Sequence, residues 1–160
     1  LSEEAPGGNA AVNLSFLSAN PQTIKAQGDY KNTLIPIDNM RLISGAVAAS
    51  PFAVKTVSDT VVSGTYTVVE LNPKTADSLG LKDSGFASLV TPVGKARVKV
   101  TFNEGIKPGI IGIVEGLGHD SNNPYIAGKG VNVNDLIGPV IESGSGLDAA
   151  FGIKAKITRA

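Results

Sequence analysis

The feature of this sequence that most constrains its fold is a very short helix between strands, within Val68–Gly118. Asn72 has the side-chain oxygen that caps free backbone N–H groups, and a proline follows at the first helical position. The predicted helix is Pro73–Leu79, and Gly80 stops it. A crossover in a doubly wound parallel sheet needs about a dozen residues or more. The stretch therefore predicts a small closed β-barrel with short helices at its rims.

Hydrophobic periodicity predicts the barrel strands. Phe86–Val90 is one strand, and Lys95–Phe102 alternates apolar and polar residues with a period of two. Ile110–Val114 is apolar enough to be buried on both faces, and a last alternating strand precedes the C-terminus. The residues that this pattern places inside the barrel are Ala96, Val98, Val100, Phe102, Ile111, Ile113, Ile153 and Ile157.

The N-terminal half of the sequence gives weaker secondary-structure signals. Thr33–Ile43 is predicted as the first barrel strand, with an edge or bulge at Pro36 because proline cannot donate to a ladder. Val54–Val62 is a short helix or a loop, and Gly64 marks the turn after it. Residues 1–29 are interpreted as a linker or packed arm, and residues 30–160 as the barrel domain.

A series of short motifs follows in a fixed order: Asn72-Pro73, Ala76, Leu79-Gly80-Leu81, Asp83, Gly94, Pro108-Gly109, Gly118-His119, Gly130 to Asn134 and Ser145-Gly146. In this order they resemble the C-terminal molybdopterin dinucleotide-binding domain of the dimethyl sulfoxide reductase superfamily of molybdopterin oxidoreductases. The resemblance covers roughly residues 30 to 160. Two stretches, Ser50-Pro51-Phe52 and Gly128-Lys129-Gly130, look most like membrane-linked members, which include tetrathionate and polysulfide reductases and quinone-linked respiratory complexes.

The resemblance implies a mainly β, double-psi β-barrel of the aspartate decarboxylase type with short rim helices. It implies that the chain holds a molybdopterin guanine dinucleotide together with the rest of a catalytic subunit. Molybdenum or tungsten would be ligated elsewhere in that subunit, so the chain alone would not be catalytic. The implied partners are the rest of the catalytic subunit, an iron–sulfur subunit and a membrane anchor subunit, on the periplasmic or extracytoplasmic side.

The candidate cofactor contacts lie in two loops. Ser44–Ser50 consists of small residues, which let backbone N–H groups approach a phosphate or pterin edge. Its alternative is a tightly packed strand or a helix start capped at Ser50. The second loop, Glu115–Ser145, supplies most of the candidates. The full set is Ser44, Ser50, Gly118, His119, Lys129, Gly130, Asn132 and Asn134.

Glu115–Ser145 is a long irregular segment rich in glycine, asparagine and serine, and such segments in compact domains are usually functional or disordered. Asparagine amides both donate and accept, which suits the edge of a pterin or guanine. The alternative is a surface loop in which Asn132 and Asn134 cap turns, and His119 is either a donor near the pterin or without a role. We expect Gly116–Asn134 to bury little and its asparagines to face solvent or a shallow cleft.

The stretch Asp83-Ser84-Gly85 departs from the family pattern, which has aspartate-glycine-aspartate. Since the chain still has to turn there, we expect the residue with positive φ to be Gly85.

Composition excludes several classes of function. The 160 residues carry 14 basic and 14 acidic side chains, and nothing in that balance recruits nucleic acid or an anionic membrane. No apolar run approaches the roughly 20 residues of a membrane helix. The chain has no cysteine and one histidine, which cannot form a multi-ligand metal site by themselves. It begins with Leu1, which we interpret as the mark of a fragment or processed subunit.

Two alternatives to cofactor binding stay open. One is a structural barrel in a related respiratory complex that has lost the cofactor. The other is a stand-alone barrel enzyme of the decarboxylase type, which would cleave itself at a glycine–serine bond such as Gly144–Ser145.

Overall fold

Strands dominate the described part of the computed structural model, which comprises residues 30–42, 50–120, 122–123, 126–138, 144–147 and 152–160. Three short helices lie between them. The strands are β1 (Asn32–Ile37), β2 (Val62–Ser63), β3 (Tyr66–Leu71), β4 (Phe86–Val90), β5 (Lys95–Phe102), β6 (Ile110–Val114) and β7 (Ile153–Arg159), and the helices are α1 (Pro51–Lys55), α2 (Pro73–Ser78) and α3 (Asn134–Ile137).

Six of these strands close into a barrel. The order around the wall is β3-β5-β4-β7-β1-β6, and β6 pairs back with β3. The β1–β6 and β3–β5 pairs are parallel, and the other wall pairs are antiparallel. The short strand β2 adds to β3 as a hairpin around Gly64, whose φ is 67°. The predicted closed, mainly β barrel with short helices is confirmed.

The core follows the period of two that predicts it. Val98, Val100, Ile111 and Ile113 are at most 1% exposed, and the inward residues of β7 are buried as well. Ala96 and Phe102, at the two ends of β5, are partly buried and pack against this core rather than inside it. The predicted inside residues are therefore fully buried in the middle of the wall and only partly buried at its rims.

Helix α2 forms as its caps predict. Asn72 Oδ1 accepts the backbone N–H of Lys74 at 3.0 Å, and Asn72 Nδ2 donates to the carbonyl of Ile106 at 2.7 Å. One side chain thus caps the helix and ties it to the loop before β6. Leu79 is the C-cap, so the helix ends one residue earlier than predicted, and Gly80 follows with φ 64°.

The first strand is shorter than predicted, since β1 ends at Ile37 rather than Ile43. Asn39 starts a turn instead, because its Oδ1 accepts the N–H of Arg41 at 2.9 Å and its carbonyl accepts the N–H of Leu42 at 2.9 Å. Pro36 lies beyond the ladder with β7, which stops at Leu34. Its missing N–H therefore leaves no gap in that ladder, as an edge position requires.

The turn after α2 corrects a second prediction. The positive φ, 58°, belongs to Ser84, and Gly85 is outside the left-handed region. The N–H of Gly85 donates to the carbonyl of Lys82 at 3.0 Å, so Ser84 occupies the third turn position, where positive φ is required in a type II turn. Gly85 is needed for space, because a Cβ there would lie 2.9 Å from the Lys82 oxygen.

Helix α3 closes the barrel end at which β5 begins. The hydroxyl of Thr91, in the β4–β5 turn, donates to the carbonyl of Leu136 at 2.6 Å. A Cβ on Gly94 in the same turn would collide with the carbonyl oxygen of Asp135. Leu136 and Ile137 are buried in the barrel core, so this short helix acts as a lid on the wall.

Candidate functional site

A cleft of about 310 Å³ lies where the loop after β6 meets the segment that leads into α3. Strand β6 delivers the first side of the cleft, and the N-terminal end of α3 delivers the second. The residues that line it are Glu115, Gly116, Leu117, His119, Asn132, Val133 and Asn134.

Three hydrogen bonds hold the two sides of this cleft in place. The N–H of Gly118 donates to the carbonyl of Lys129 at 2.8 Å and joins the sides directly. The N–H of Gly130 donates to the carbonyl of Thr65 at 3.1 Å. The N–H of Val131 donates to the hydroxyl of Thr67, a fully buried side chain of β3, at 2.8 Å. The floor of the cleft is therefore attached to the barrel wall.

Two of the candidate glycines are explained by this attachment. Gly118 has φ 72°, and a Cβ there would collide with the backbone N of Asn132. Gly130 has φ 76°, and its Cβ would lie 2.7 Å from Thr67 Oγ1. In both places the chain's own atoms fill the space, so glycine is required by internal packing whether or not a ligand approaches.

The expectation that Gly116–Asn134 buries little is wrong. Leu117, Ile126 and Val133 are between 3% and 5% exposed. Leu117 packs in a second apolar cluster under the cleft, together with Leu42, Val57, Val61, Val62 and Val114. The loop is irregular, but several of its apolar side chains are buried in the core.

Several polar side chains that line the cleft have donor or acceptor atoms that form no hydrogen bond within the described residues. His119 Nε2 lies 3.2 Å from the carbonyl of Gly116. Because a carbonyl only accepts, Nε2 is the donor in this contact, and in the neutral imidazole Nδ1 is then an acceptor. Asn132 Oδ1 accepts the N–H of Asn134 at 3.1 Å. Within the described residues, no hydrogen bond uses Asn132 Nδ2 or the side-chain amide of Asn134. These two asparagines do line a cleft, as expected, and Asn132 also caps a turn.

An acidic pair beside the cleft was missed by the sequence analysis. Asp38 directly follows β1 and Glu115 directly follows β6. These parallel strands pair Ile37 with Val114, so the residues that follow them, Asp38 and Glu115, lie side by side at the end of the sheet. The hydrogen bond to Asp38 raises the pKa of Glu115 above its ordinary value, and burial and the Asp38 charge act in the same direction. Each acid follows an apolar run, but only the topology shows that they meet.

The other candidate residues are less central. Lys129 is half-buried, and its backbone carbonyl takes part in joining the two sides of the cleft. Ser50 is exposed just before α1 and is not among the residues that line the cleft. Ser44 lies outside the described residues. Among the residues that are described, no group of three or more His, Cys, Asp or Glu could hold a metal ion.

The part of the chain that the structure describes contains no helix long and apolar enough to span a membrane.

Comparisons with known proteins agree on one family. Residues 40–150 match the model of the Molydopterin dinucleotide binding domain. The chain is 31% identical, over 93% of its length, to the menaquinone reductase molybdopterin-binding-like subunit of Nitratidesulfovibrio vulgaris. It is 32% identical, over 53% of its length, to the arsenate respiratory reductase molybdopterin-containing subunit ArrA of Shewanella sp. strain ANA-3.

The solved structure of acetylene hydratase from Pelobacter acetylenicus has the same fold over 82% of this chain, with a TM-score of 0.59 and 20% identity. The chain spans 22% and 11% of the lengths of the two curated relatives and 18% of the hydratase. The motif order, the six-stranded mixed barrel and the family match thus lead to one conclusion: this chain belongs to the molybdopterin dinucleotide-binding domain family of the dimethyl sulfoxide reductase superfamily.

Proposed function

We propose that this chain is the part of a molybdopterin oxidoreductase catalytic subunit that holds one portion of a molybdopterin guanine dinucleotide in the cleft beside α3. The observation that carries the proposal is a set of amide and imidazole atoms that line this cleft and form no hydrogen bond within the described residues. When bound, the cofactor supplies the oxidation–reduction chemistry, and this chain supplies binding and orientation.

The residues of the cleft fit one ring system of such a cofactor. Its volume of about 310 Å³ lies at the lower end of the roughly 300–1,000 Å³ typical of small-molecule sites. A dinucleotide cofactor is larger, so the remainder must be held by other parts of the protein. Pterin and guanine edges carry both N–H donors and ring acceptors, and asparagine amides complement both.

The proposed roles follow from these amide and imidazole atoms. Asn132 Nδ2 donates to the ring edge, and Asn134 offers an amide from the start of α3. His119 Nδ1 accepts a hydrogen bond, because Nε2 is engaged with Gly116. The Lys129 ammonium is the candidate partner for a phosphate, while Gly118 and Gly130 keep the two sides of the cleft close together. Ser44 and Ser50 remain proposed contacts from a second loop.

A structural role without cofactor is the second candidate, and two structural observations and the name of one relative favour it. The space next to Gly118 and Gly130 is filled by the protein itself rather than left open for a ligand. The one charged side chain among the described lining residues is Glu115, whose carboxylate would repel a diphosphate. The relative from N. vulgaris is named molybdopterin-binding-like. A decarboxylase-type enzyme has no comparable observation in its favour.

The test is the cofactor content of the full-length protein, purified with its own subunits from a host that makes the cofactor. Pterin is released by denaturation and measured by fluorescence, and GMP is measured after acid hydrolysis. We expect both in a fixed ratio. Asn132→Asp keeps the oxygen that caps Asn134 but removes the amide donor, so we expect roughly threefold to tenfold weaker cofactor retention.

The matched control is Asn122→Ala, an exposed asparagine outside the lining of the cleft. It should leave cofactor content unchanged. Absence of pterin from the intact wild-type complex would refute the proposal and favour the structural role. Pterin without GMP would refute the guanine dinucleotide form alone.

A further inference from the structure

The outer wall of the barrel carries a strip of positive charge that cofactor binding does not use. Along β5, the outward residues Lys95, Arg97 and Lys99 alternate with the buried ones. Outward positions two residues apart on a strand are about 6.5–7 Å apart. On β7, Lys156 is exposed and pairs with Val90 of β4, and Val90 also pairs with Lys95. We call these four cations, with the β4 residues between them, the basic face.

Aromatic rings hold two of these cations in place. Arg97 Cζ lies 4.5 Å from the centre of the Phe86 ring and 5.8 Å from that of Tyr66. The two rings pack edge to face with centroids 5.0 Å apart. Lys99 Nζ lies 5.5 Å from the Phe86 ring and donates to Ser63 Oγ at 2.9 Å. Such stacking orders long side chains before any partner arrives, which lowers the entropic cost of binding.

Among the described strands that form this face, none carries an acid to balance its charge. Strands β4, β5 and β7 contain no aspartate or glutamate, although the whole chain is neutral with 14 charges of each sign. Within the described residues, no ion pair joins Lys95, Arg97 or Lys156 to a carboxylate. The basic face is therefore a local concentration of positive charge on the wall.

We propose that the basic face is a docking surface for an acidic surface of a second protein subunit. A guanidinium stacked on an aromatic ring keeps its in-plane N–H groups free, and these match a carboxylate in bidentate fashion. Arginine, tyrosine and phenylalanine are also the residues enriched at protein interfaces. This inference rests on the proposed function in one respect, namely that the chain works inside a multi-subunit enzyme.

A protein partner fits better than an anionic membrane. The exposed apolar ring on this face, Phe86, is covered by Arg97 and Lys99 and so is not presented to a bilayer. The face also combines fixed, directional donors with rings, whereas lipid surfaces are bound by diffuse clusters of flexible lysines. Because β4, β5 and β7 are each paired on both sides in the wall, an added strand is not the mode of binding.

The test places a photocrosslinking amino acid, benzoylphenylalanine, at Thr158 in the full-length protein inside its own host. Thr158 is exposed and pairs with Ser88, whose other neighbour is Arg97. We expect an adduct with a separate subunit, and we expect mass spectrometry to map it to a segment rich in Asp or Glu. The variant Lys95→Glu with Lys156→Glu should lower adduct yield about tenfold. The control Lys74→Glu with Lys107→Glu changes two exposed lysines elsewhere and should have no effect.

An adduct with phospholipid, with a second copy of this chain or with another part of the same chain would overturn the proposal. So would absence of an adduct from a correctly assembled complex, or an adduct that survives charge reversal. Thermal melting of each variant separates these outcomes from misfolding. Cofactor content, measured on the same samples, separates failure of this inference from failure of the proposed function.

Discussion

The barrel wall and the cleft loop are stabilised in different ways. The wall segment from β4 to β5, Phe86–Phe102, has backbone partners on both sides and a continuous buried face. The described part of the cleft loop, between Glu115 and Gly138, is held by isolated hydrogen bonds and a few buried side chains instead of a ladder. The partners in these bonds include Ile37, Thr65, Thr67, Thr91 and Lys129. The wall has many replaceable contacts and the loop has few, so single changes in the loop should have sharply position-dependent effects.

The largest effect is expected in the wall. Val98 is completely buried at the centre of β5, and Val98→Asp would place an unpaired charge in the core. Domains of this size are stable by about 5–15 kcal/mol, so we expect loss of the cooperative thermal transition. Lys95 lies on the same strand but is exposed, so Lys95→Asp should retain the cooperative thermal transition. A normal melting curve for Val98→Asp would place this side chain outside the core.

Alanine substitutions at two glycines of the loop compare the cost of backbone strain alone with the cost of strain plus a steric collision. Gly128 has φ 66° with nothing near its Cβ position, whereas Gly118 has φ 72° and a Cβ there would collide with Asn132. Gly128→Ala should lower the free energy of unfolding by about 1 kcal/mol through strain alone. Gly118→Ala adds overpacking, so we expect about 3 kcal/mol in urea denaturation. Equal effects would mean that the two sides of the cleft are not in contact.

Thr67 tests a single connection between loop and wall. Thr67→Val keeps the shape of the side chain but leaves the N–H of Val131 without its acceptor. The expected loss is about 1–3 kcal/mol of unfolding free energy. Thr101→Val, on the outer side of β5, is the matched control and should change stability by less than about 0.5 kcal/mol. No loss in Thr67→Val would show that this hydrogen bond does not hold the loop.

The smallest effect concerns the acidic pair. Because the pKa of Glu115 is raised in the folded state, its protonated form stabilises the fold at low pH, and this contribution is lost as pH rises through the raised pKa. Because the group is solvated, we expect this loss of unfolding free energy to be less than about 1 kcal/mol. Glu115→Gln should remove it. Urea denaturation between pH 4 and 8 measures it, with Glu104→Gln as control. An identical pH dependence in Glu115→Gln and wild type would contradict the pairing.

Local signals account for the parts of the fold that sequence analysis predicted. The cap at Asn72 and the alternation of Lys95–Phe102 are read directly from neighbouring residues. The end of β1 is set by the local turn at Asn39. The positive φ at Ser84 is different, because the N–H of Ser84 donates to the carbonyl of Val100, a distant residue on β5. Serine in a left-handed turn position is uncommon, so the local sequence favours Gly85 there, and the prediction of Gly85 is wrong because the backbone pairing with β5 decides the turn.

The candidate site shows the same division. His119, Asn132 and Asn134 are predicted from the sequence and all three line the cleft, while their contact with a cofactor is a proposal. Composition suggested a loop with little to bury, but Leu117 and Val133 find apolar partners contributed by distant segments. The acidic pair could not be predicted before β1 and β6 were known to be parallel neighbours.

Hydrogen exchange on the full-length protein, prepared with and without the cofactor, tests the central claim that this cleft binds part of it. The account predicts that the amides of Gly116, Asn132 and Asn134 exchange at least tenfold more slowly in the cofactor-bound protein. The amides of Val98 and Val100, already in the wall, should be slow in both. Exchange in the cleft loop that is identical with and without bound cofactor would contradict the account.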